Sequence, residues 1–282
     1  MVIAELLAGG IRALQEAGIE SSRLDAEVLL CHLLQKERIY LLLHKDEAVS
    51  EEISRAFMDV IGRRQKNEPV AYITGEKEFM SLSFAVCPGV LIPRPDTETL
   101  VEFAIEILKD TENPEILDLC TGSGAICVSL AHYLPKSRVT AYDISDICVK
   151  TATKNAETNG VLDRVTVKKQ DVLAPMPEKP FDAVVSNPPY IPAKVVKGLM
   201  PEVRDFEPHS ALDGGDDGLT FYRHLVEVAP RHLKQGGLLA FEIGHDQFES
   251  VSALLEADGR YENIGTKEDL AGIKRVVYGY KK

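Results

Sequence analysis

Apolar residues repeat along this chain at two periods, and the change of period divides it. Through about residue 70 the spacing is helical: Ile3, Leu6, Leu7, Ile11 and Leu14 share one face, and Gly18 follows as a stop. Ser21 and Ser22 stand where a cap is wanted ahead of a second helix carrying Leu24, Val28, Leu29 and Leu33. Ser50 opens another that runs to Pro69, with Glu51 and Glu52 in its first turn to complement the helix dipole. Around Met80-Ser81 the period shortens, with Phe79, Leu82, Phe84 and Val86 alternating with polar or small residues as in a short hairpin or extended linker. Pro93 and Pro95 hold the next stretch extended. Asp96 is placed to cap a helix through Leu100, Phe103, Ile107 and Leu108.

From Glu115 onward short apolar runs alternate with amphipathic segments. The runs Ile116–Leu119, Val139–Tyr142, Val165–Lys168, Ala183–Ser186, Leu238–Ile243, Tyr261–Thr266 and Arg275–Gly279 read as strands. Helical patterns fall at Ala125–Tyr133, Ser145–Asn159, Leu219–Leu233 and Asp246–Ala257. Such alternation predicts an α/β fold, a mostly parallel sheet with helices on both faces. The two successive strands at the end allow an antiparallel edge.

Composition narrows the class. The chain has 282 residues, 45% hydrophobic and 27% charged, enough for a large domain plus a small one. No apolar run approaches the roughly 20 residues that span a bilayer, and Met1–Glu5 lacks the start of a signal peptide, so no membrane association and a cytoplasmic location are expected. The five cysteines are scattered without a C-x-x-C pair, and the seven histidines show no ligand spacing, so neither a disulfide framework nor a metal is indicated. A net charge of −12 argues against a direct nucleic-acid partner, because phosphate binding relies on basic stripes.

Candidate chemistry collects at the carboxyl ends of the predicted strands, where open α/β sheets bind ligands. After the first strand comes Cys120-Thr121-Gly122-Ser123-Gly124, whose glycines let the backbone turn tightly beside a ligand. Asp143 closes the second strand, where a carboxylate can accept both hydroxyl protons of a ribose. Asp171 and Val172 follow the third, one able to accept from an adenine amino group and the other to pack on the ring. These features point to a nucleoside-type cofactor without separating nicotinamide from S-adenosylmethionine; Cys127 occupies the third small-residue position of a dinucleotide loop.

Asn187-Pro188-Pro189-Tyr190, at the end of the fourth strand, separates them. The two prolines offer no N–H and stiffen the backbone, so the Asn187 side-chain oxygen and the Pro188 carbonyl can form a fixed pair of acceptors for a planar NH₂ group, with Tyr190 against its flat face. Accepting both N–H bonds returns electron density to an amide nitrogen and aims it at a sulfonium methyl group. Alignment of that kind is worth about 7–11 kcal/mol.

With these motifs the chain resembles the release-factor glutamine methyltransferases, the PrmC or HemK family, from about Ser22 to the C-terminus. The likeness runs through Arg23–Glu27, Pro69–Phe79, Pro93–Glu98, the glycine loop, Asn187–Tyr190, Phe206–Pro208, Ala211–Leu219 and Glu242–Gln247. It implies a Rossmann-like, S-adenosylmethionine-dependent methyltransferase domain over 96–282 with a seven-stranded sheet, a helical substrate-docking domain over 1–72 and a hairpin linker over 73–95. It implies N5-methylation of the glutamine in the Gly-Gly-Gln tip of peptide chain release factors 1 and 2. By the same likeness Cys120, Thr121, Gly122, Ser123, Gly124, Asp143, Asp171, Val172 and Asn187 hold the methyl donor. Asn187, Pro188, Pro189 and Tyr190 clamp the substrate, with Asn187, Pro188 and Tyr190 as the catalytic set. Two residues depart from the pattern: Cys120 where the loop usually has Gly, and Val172 where some members carry an aromatic. Arg94 either orients substrate or pins the linker through Asp96 or Glu98. A glutamine methyltransferase of a ribosomal protein, an adenine-N6 nucleic-acid methyltransferase and a non-enzymatic nucleoside-binding module remain as alternatives.

Overall fold

The computed structural model describes residues 1–282, which divide by contact into two units. The first comprises Met1–Glu76 with Met200–Phe206, and the second Lys77–Leu199 with Glu207–Lys282. No helix is long and apolar enough to cross a membrane.

The first unit is helical: α1 (Ile3–Glu16), α2 (Ser22–Leu34), α3 (Arg38–Leu43), α4 (Glu51–Arg64) and α5 (Val70–Thr74). Ile3, Leu6, Leu14, Leu29, Leu30, Phe57 and Ile61 form its core. Ser50 caps α4 as expected, its hydroxyl accepting from the Ile53 N–H at 3.2 Å. Ser21 does not cap α2; its hydroxyl donates instead to Asp25 at 2.7 Å. Asp25 is drawn into a buried ion network in which Arg64 reaches it at 2.7 Å and reaches Glu202 at 2.7 Å. Removing either partner would strand a buried charge, so the network fixes the packing of α2 on α4. Leu24, on the opposite side of α2, is 48% exposed.

The second unit opens with a hairpin, β1 (Glu76–Phe79) and β2 (Leu82–Ala85). Met80 and Ser81 turn it with φ of 50° and 56°, the positive values that a tight two-residue turn demands. Next come α6 (Glu98–Leu108), β3 (Glu115–Leu119), α7 (Ala125–Tyr133), β4 (Arg138–Asp143), α8 (Asp146–Thr158), β5 (Val165–Lys169) and β6 (Phe181–Ser186). After β6 come α9 (Ala193–Val196), α10 (Pro201–Arg204, in the first unit), α11 (Thr220–Val228), β7 (Leu233–Glu242), α12 (Phe248–Asp258), β8 (Tyr261–Glu268) and β9 (Lys274–Lys281). The seven-stranded sheet has the order β5-β4-β3-β6-β7-β9-β8, parallel except for β9. Apolar clusters cover both faces, one under α6, α7 and α8 and the other under α11 and α12.

The helix expected to run from Ser50 to Pro69 ends at Arg64, and three expectations shift in the second unit. Asp96 does not cap α6, because a 3₁₀ turn over Pro95–Thr97 precedes that helix; its carboxylate pairs with Arg275 at 2.9 Å. The helix expected to reach Leu233 ends at Val228, since Pro230 has no N–H to continue it. And β7 begins at Leu233 rather than Leu238, Leu233 pairing with Phe181 ahead of a register shift.

Candidate active site

The chain runs β3-β4-β5 toward one edge of the sheet and then β6-β7 toward the other, so the topological switch lies between β3 and β6. Ligands bind outside the carboxyl ends of strands at that point. The register there is level. Leu119 of β3 lies opposite Tyr142 of β4 and Ser186 of β6, and Ser186 lies opposite Phe241 of β7. The residues that follow, Asp143, Cys120, Asn187 and Glu242, therefore stand in one row along the top of the sheet.

A cavity of about 260 Å³ opens over this row. Its wall includes Cys120, Thr121, Gly122, Ser123, Asp143, Asp171, Val172, Asn187 and Pro189 from the sequence-derived set. Gly124, Pro188 and Tyr190 are not in the wall. Gly124 serves the packing of the loop on α8. Its φ is 83°, and a Cβ there would come within 2.9 Å of the Ala152 Cβ. Gly122 faces open space, where an added Cβ would meet nothing within 4 Å.

The loop is braced on three sides. The Asp143 carboxylate accepts from the Gly122 N–H at 2.8 Å and the Ser145 N–H at 2.9 Å, leaving each oxygen with a further lone pair. Thr121 donates from its hydroxyl to Asp118 at 2.6 Å. Asn155, fully buried on α8, donates to Ser123 O at 2.8 Å and also bonds the Ala85 backbone in β2. Burial pushes the Asp118 carboxyl up to about 7, against the Thr121 bond that lowers it. Cys120 sits at φ 61°, a left-handed conformation that costs an L-residue about 1–2 kcal/mol. Burial, with Asp143 and Asp118 adding to it, raises its thiol pKa and keeps it neutral.

Around Asn187–Tyr190 the backbone is clamped. Gln247 donates from Nε2 to Tyr190 O at 2.9 Å and Gly218 O at 3.3 Å, and accepts from the Gly244 N–H at 3.0 Å. Ile191 and the Leu212–Gly214 loop exchange backbone bonds at 3.0 and 2.9 Å. That loop lies against Tyr190 so closely that a Cβ at Gly214 would fall 2.7 Å from Tyr190 Cα and 2.8 Å from Pro189 O. The motifs after Asn187–Tyr190 thus form its mount. The Asn187 amide nitrogen donates to the Thr97 hydroxyl at 3.2 Å.

Sequence reasoning missed Thr97, Asn155, Glu242 and Gln247. For Glu242 a signal existed: a carboxylate ends the apolar run Leu238–Phe241, where the sheet leaves it no water. Thr97 and Gln247 lie in the motifs Pro93–Glu98 and Glu242–Gln247 but with no role read from them, and nothing local marks Asn155; their partners are 32 to 90 residues away in sequence. Arg94, the only basic side chain in the wall, pairs with buried Glu207 rather than with Asp96 or Glu98. Glu98 instead accepts from the Met80 N–H at 2.7 Å.

Two family models match the chain: the PrmC N-terminal domain over residues 5–75 and the methyltransferase small domain over residues 95–200. The release factor glutamine methyltransferase of Moorella thermoacetica is 45% identical over 282 residues, 100% of this chain and 99% of that protein. Those of Clostridium botulinum and Vibrio cholerae are each 40% identical over 283 residues, covering 100% of this chain and 100% and 98% of their own lengths. Among solved structures, the catalytic domain of hMettl16 in complex with the MAT2A 3′UTR hairpin 6 superposes with a TM-score of 0.58 at 18% identity, over 74% of this chain and 79% of that one. A methyltransferase from Pyrococcus furiosus gives 0.52 at 19%, over 79% and 98%. At such identities these two likenesses bear on the fold alone.

Proposed function

Because this chain belongs to the release factor glutamine methyltransferase family, we propose that it methylates N5 of the glutamine in the Gly-Gly-Gln segment of peptide chain release factors 1 and 2, with S-adenosylmethionine as methyl donor. The observation that carries this reading is the level row at the switch point. It puts the acceptor-bearing Asn187 in the wall of the cavity that Asp143 and the Cys120–Gly124 loop also line. The cavity suits the donor in chemistry. Asp143 retains lone pairs for ribose hydroxyls, the open space at Gly122 admits a close approach, and buried Val172 offers an apolar surface beside Asp171 for a base.

When bound, the donor supplies a methyl group on a positively charged sulfur. The protein's own residues do the rest by orientation. Asn187 Oδ1 and the Pro188 carbonyl accept the two N–H bonds of the glutamine amide, which keeps its nitrogen lone pair directed at the methyl carbon. Held in this way, the nitrogen would take the methyl group that the donor supplies, and one N–H proton would then leave to solvent. Tyr190 lies along the flat face of the amide and excludes water from it. The helical unit docks the release factor, and the cytoplasm, where translation proceeds, is the place of action.

The test is direct. The protein is incubated with S-adenosylmethionine and purified release factors, ribosomal proteins or DNA, and mass spectrometry identifies the methylated species and residue. The Gly-Gly-Gln glutamine is the expected acceptor, and methyl groups on a ribosomal protein or an adenine would overturn the substrate assignment. Asn187→Ala is expected to abolish transfer without loss of fold; near-normal turnover in that variant would sink the mechanism.

A further inference from the structure

We propose that Glu242 is a positioning residue that fixes which end of the Asn187 amide faces the reacting nitrogen. The inference rests on the reading of Asn187 as an acceptor given above. A side-chain amide presents an oxygen on one side and an NH₂ on the other, and the site works only with the oxygen outward. Thr97 cannot impose that choice, because its hydroxyl donates as readily as it accepts. A carboxylate accepts only. Glu242 stands beside Asn187 in the row at the strand ends, 2% exposed, where the Asn187 amide and the Thr97 hydroxyl both favour its ionised form. With Glu242 ionised, the amide must turn its nitrogen inward, as observed in its 3.2 Å bond to Thr97, and its oxygen outward.

One of its carboxylate oxygens, Oε2, is buried with no hydrogen-bond partner. A group kept only for packing would not carry such an atom, because an apolar side chain of the same size fills the space without it. Burial raises the Glu242 pKa to about 7; the Thr97 and Asn187 bonds and Arg275 oppose that rise, and Asp96 adds to it. Asp96 and Arg275 pair with each other at 2.9 Å, and the neighbouring phenols of Tyr190 and Tyr222 are held neutral by burial. Glu242 is therefore half-charged near neutrality, and its grip on Asn187 strengthens as it ionises.

Glu242→Met removes the acceptor at nearly constant volume. Its kcat is expected to fall about 10- to 150-fold, the value of orienting bonds to a charged group, while donor affinity holds and the melting temperature at pH 8 stays level or rises. Glu242→Gln, whose amide donates as readily as it accepts, cannot impose the choice and should also lose much of the parent's kcat. A purely structural role gives the opposite pairing, a lower melting temperature with kcat unchanged in the folded fraction. The proposal is overturned if Glu242→Met or Glu242→Gln keeps kcat within about threefold of the parent. Should Glu242→Met fail to fold, the pH profiles decide: kcat of the parent should climb through about pH 7 and that of Glu242→Gln should stay flat. Superimposable profiles refute the idea. Asn187→Ala, run in parallel, separates the two failures: an active Asn187→Ala defeats the acceptor mechanism, whereas an inactive Asn187→Ala beside a fully active Glu242→Met defeats only the role of Glu242.

Discussion

Substituting Gly214 by Ala tests whether the mount around Tyr190 controls catalysis. Gly214 has no need of glycine's backbone freedom, since its φ is not among the positive ones, so the substitution probes contact alone. The new Cβ would lie 2.7 Å from Tyr190 Cα and 2.8 Å from Pro189 O and Tyr190 C, all of them backbone or Cα atoms that cannot rotate away. Relaxing 2.7 Å to the 3.4 Å of ordinary contact requires a displacement on the order of 0.7 Å. The loop cannot take all of it, because bonds of 2.9 and 3.0 Å tie it to Ile191, and Gln247 holds Tyr190 O at 2.9 Å. Part of the movement must reach Asn187–Pro189. A misplacement of about 1 Å costs on the order of 100-fold in rate, so kcat should fall about 10- to 100-fold. Overpacking costs about 1–3 kcal/mol, which lowers Tm by several degrees in a domain of this size. Donor affinity, measured by calorimetry, should change less than kcat, because Gly214 itself does not line the cavity and only Asn187 and Pro189 of the wall are displaced. Steady-state methylation of a release factor gives kcat, and a value within about threefold of the parent would refute the mount.

Two other expectations concern the carboxylates. Asp143→Ala removes the group that accepts from Gly122 and Ser145 and that is read as holding the ribose; donor affinity should weaken by about 100-fold or more, two charged hydrogen bonds' worth. Calorimetry showing an unchanged Kd would exclude that role. Glu242 also links stability to pH: its folded pKa, about 7, lies above the ordinary 4.5, so its stabilising contribution is complete below 4.5 and is lost as pH rises through 7. Glu242→Gln does not titrate, and its Tm should draw ahead of the parent's between pH 5 and 8, by the equivalent of about 3 kcal/mol. Melting curves with a constant offset across that range would contradict it.

What was legible in the sequence were features with a local signature. Short apolar runs between helical patterns placed all seven sheet strands, and the Asn187–Tyr190 and Cys120–Gly124 loops fall where the topology then puts them, at the switch point. The errors occurred where tertiary contacts override local preference. Lys234-Gln235-Gly236-Gly237 is too polar to read as strand, yet Leu233 pairs with Phe181 and draws β7 back over it. Asp96 has the chemistry of a cap, but Arg275, brought up by β9, claims its carboxylate. Asn155 looks like an ordinary surface residue of an amphipathic helix, and only the packing of α8 on β2 and the glycine loop makes it a fully buried clamp.

The absence of a conventional acid–base residue follows from what surrounds the acceptor pair. The ionisable side chains in the wall are Arg94, Asp143, Asp171, Cys120 and Cys148. Arg94 is paired to Glu207, Asp143 is bonded to two backbone N–H groups, and burial raises both thiols so that neither offers a thiolate. Asp171 is turned to the Leu173 N–H at 2.9 Å. None of these is free to act as a general base, and Glu242, though beside Asn187, does not line the cavity, so the amide nitrogen must react through alignment. Alignment needs an acceptor whose orientation never lapses, and in this row that requirement falls on Glu242. The same burial that gives its carboxylate authority over Asn187 makes its charge costly, so the molecule is expected to gain activity and lose stability over one pH interval.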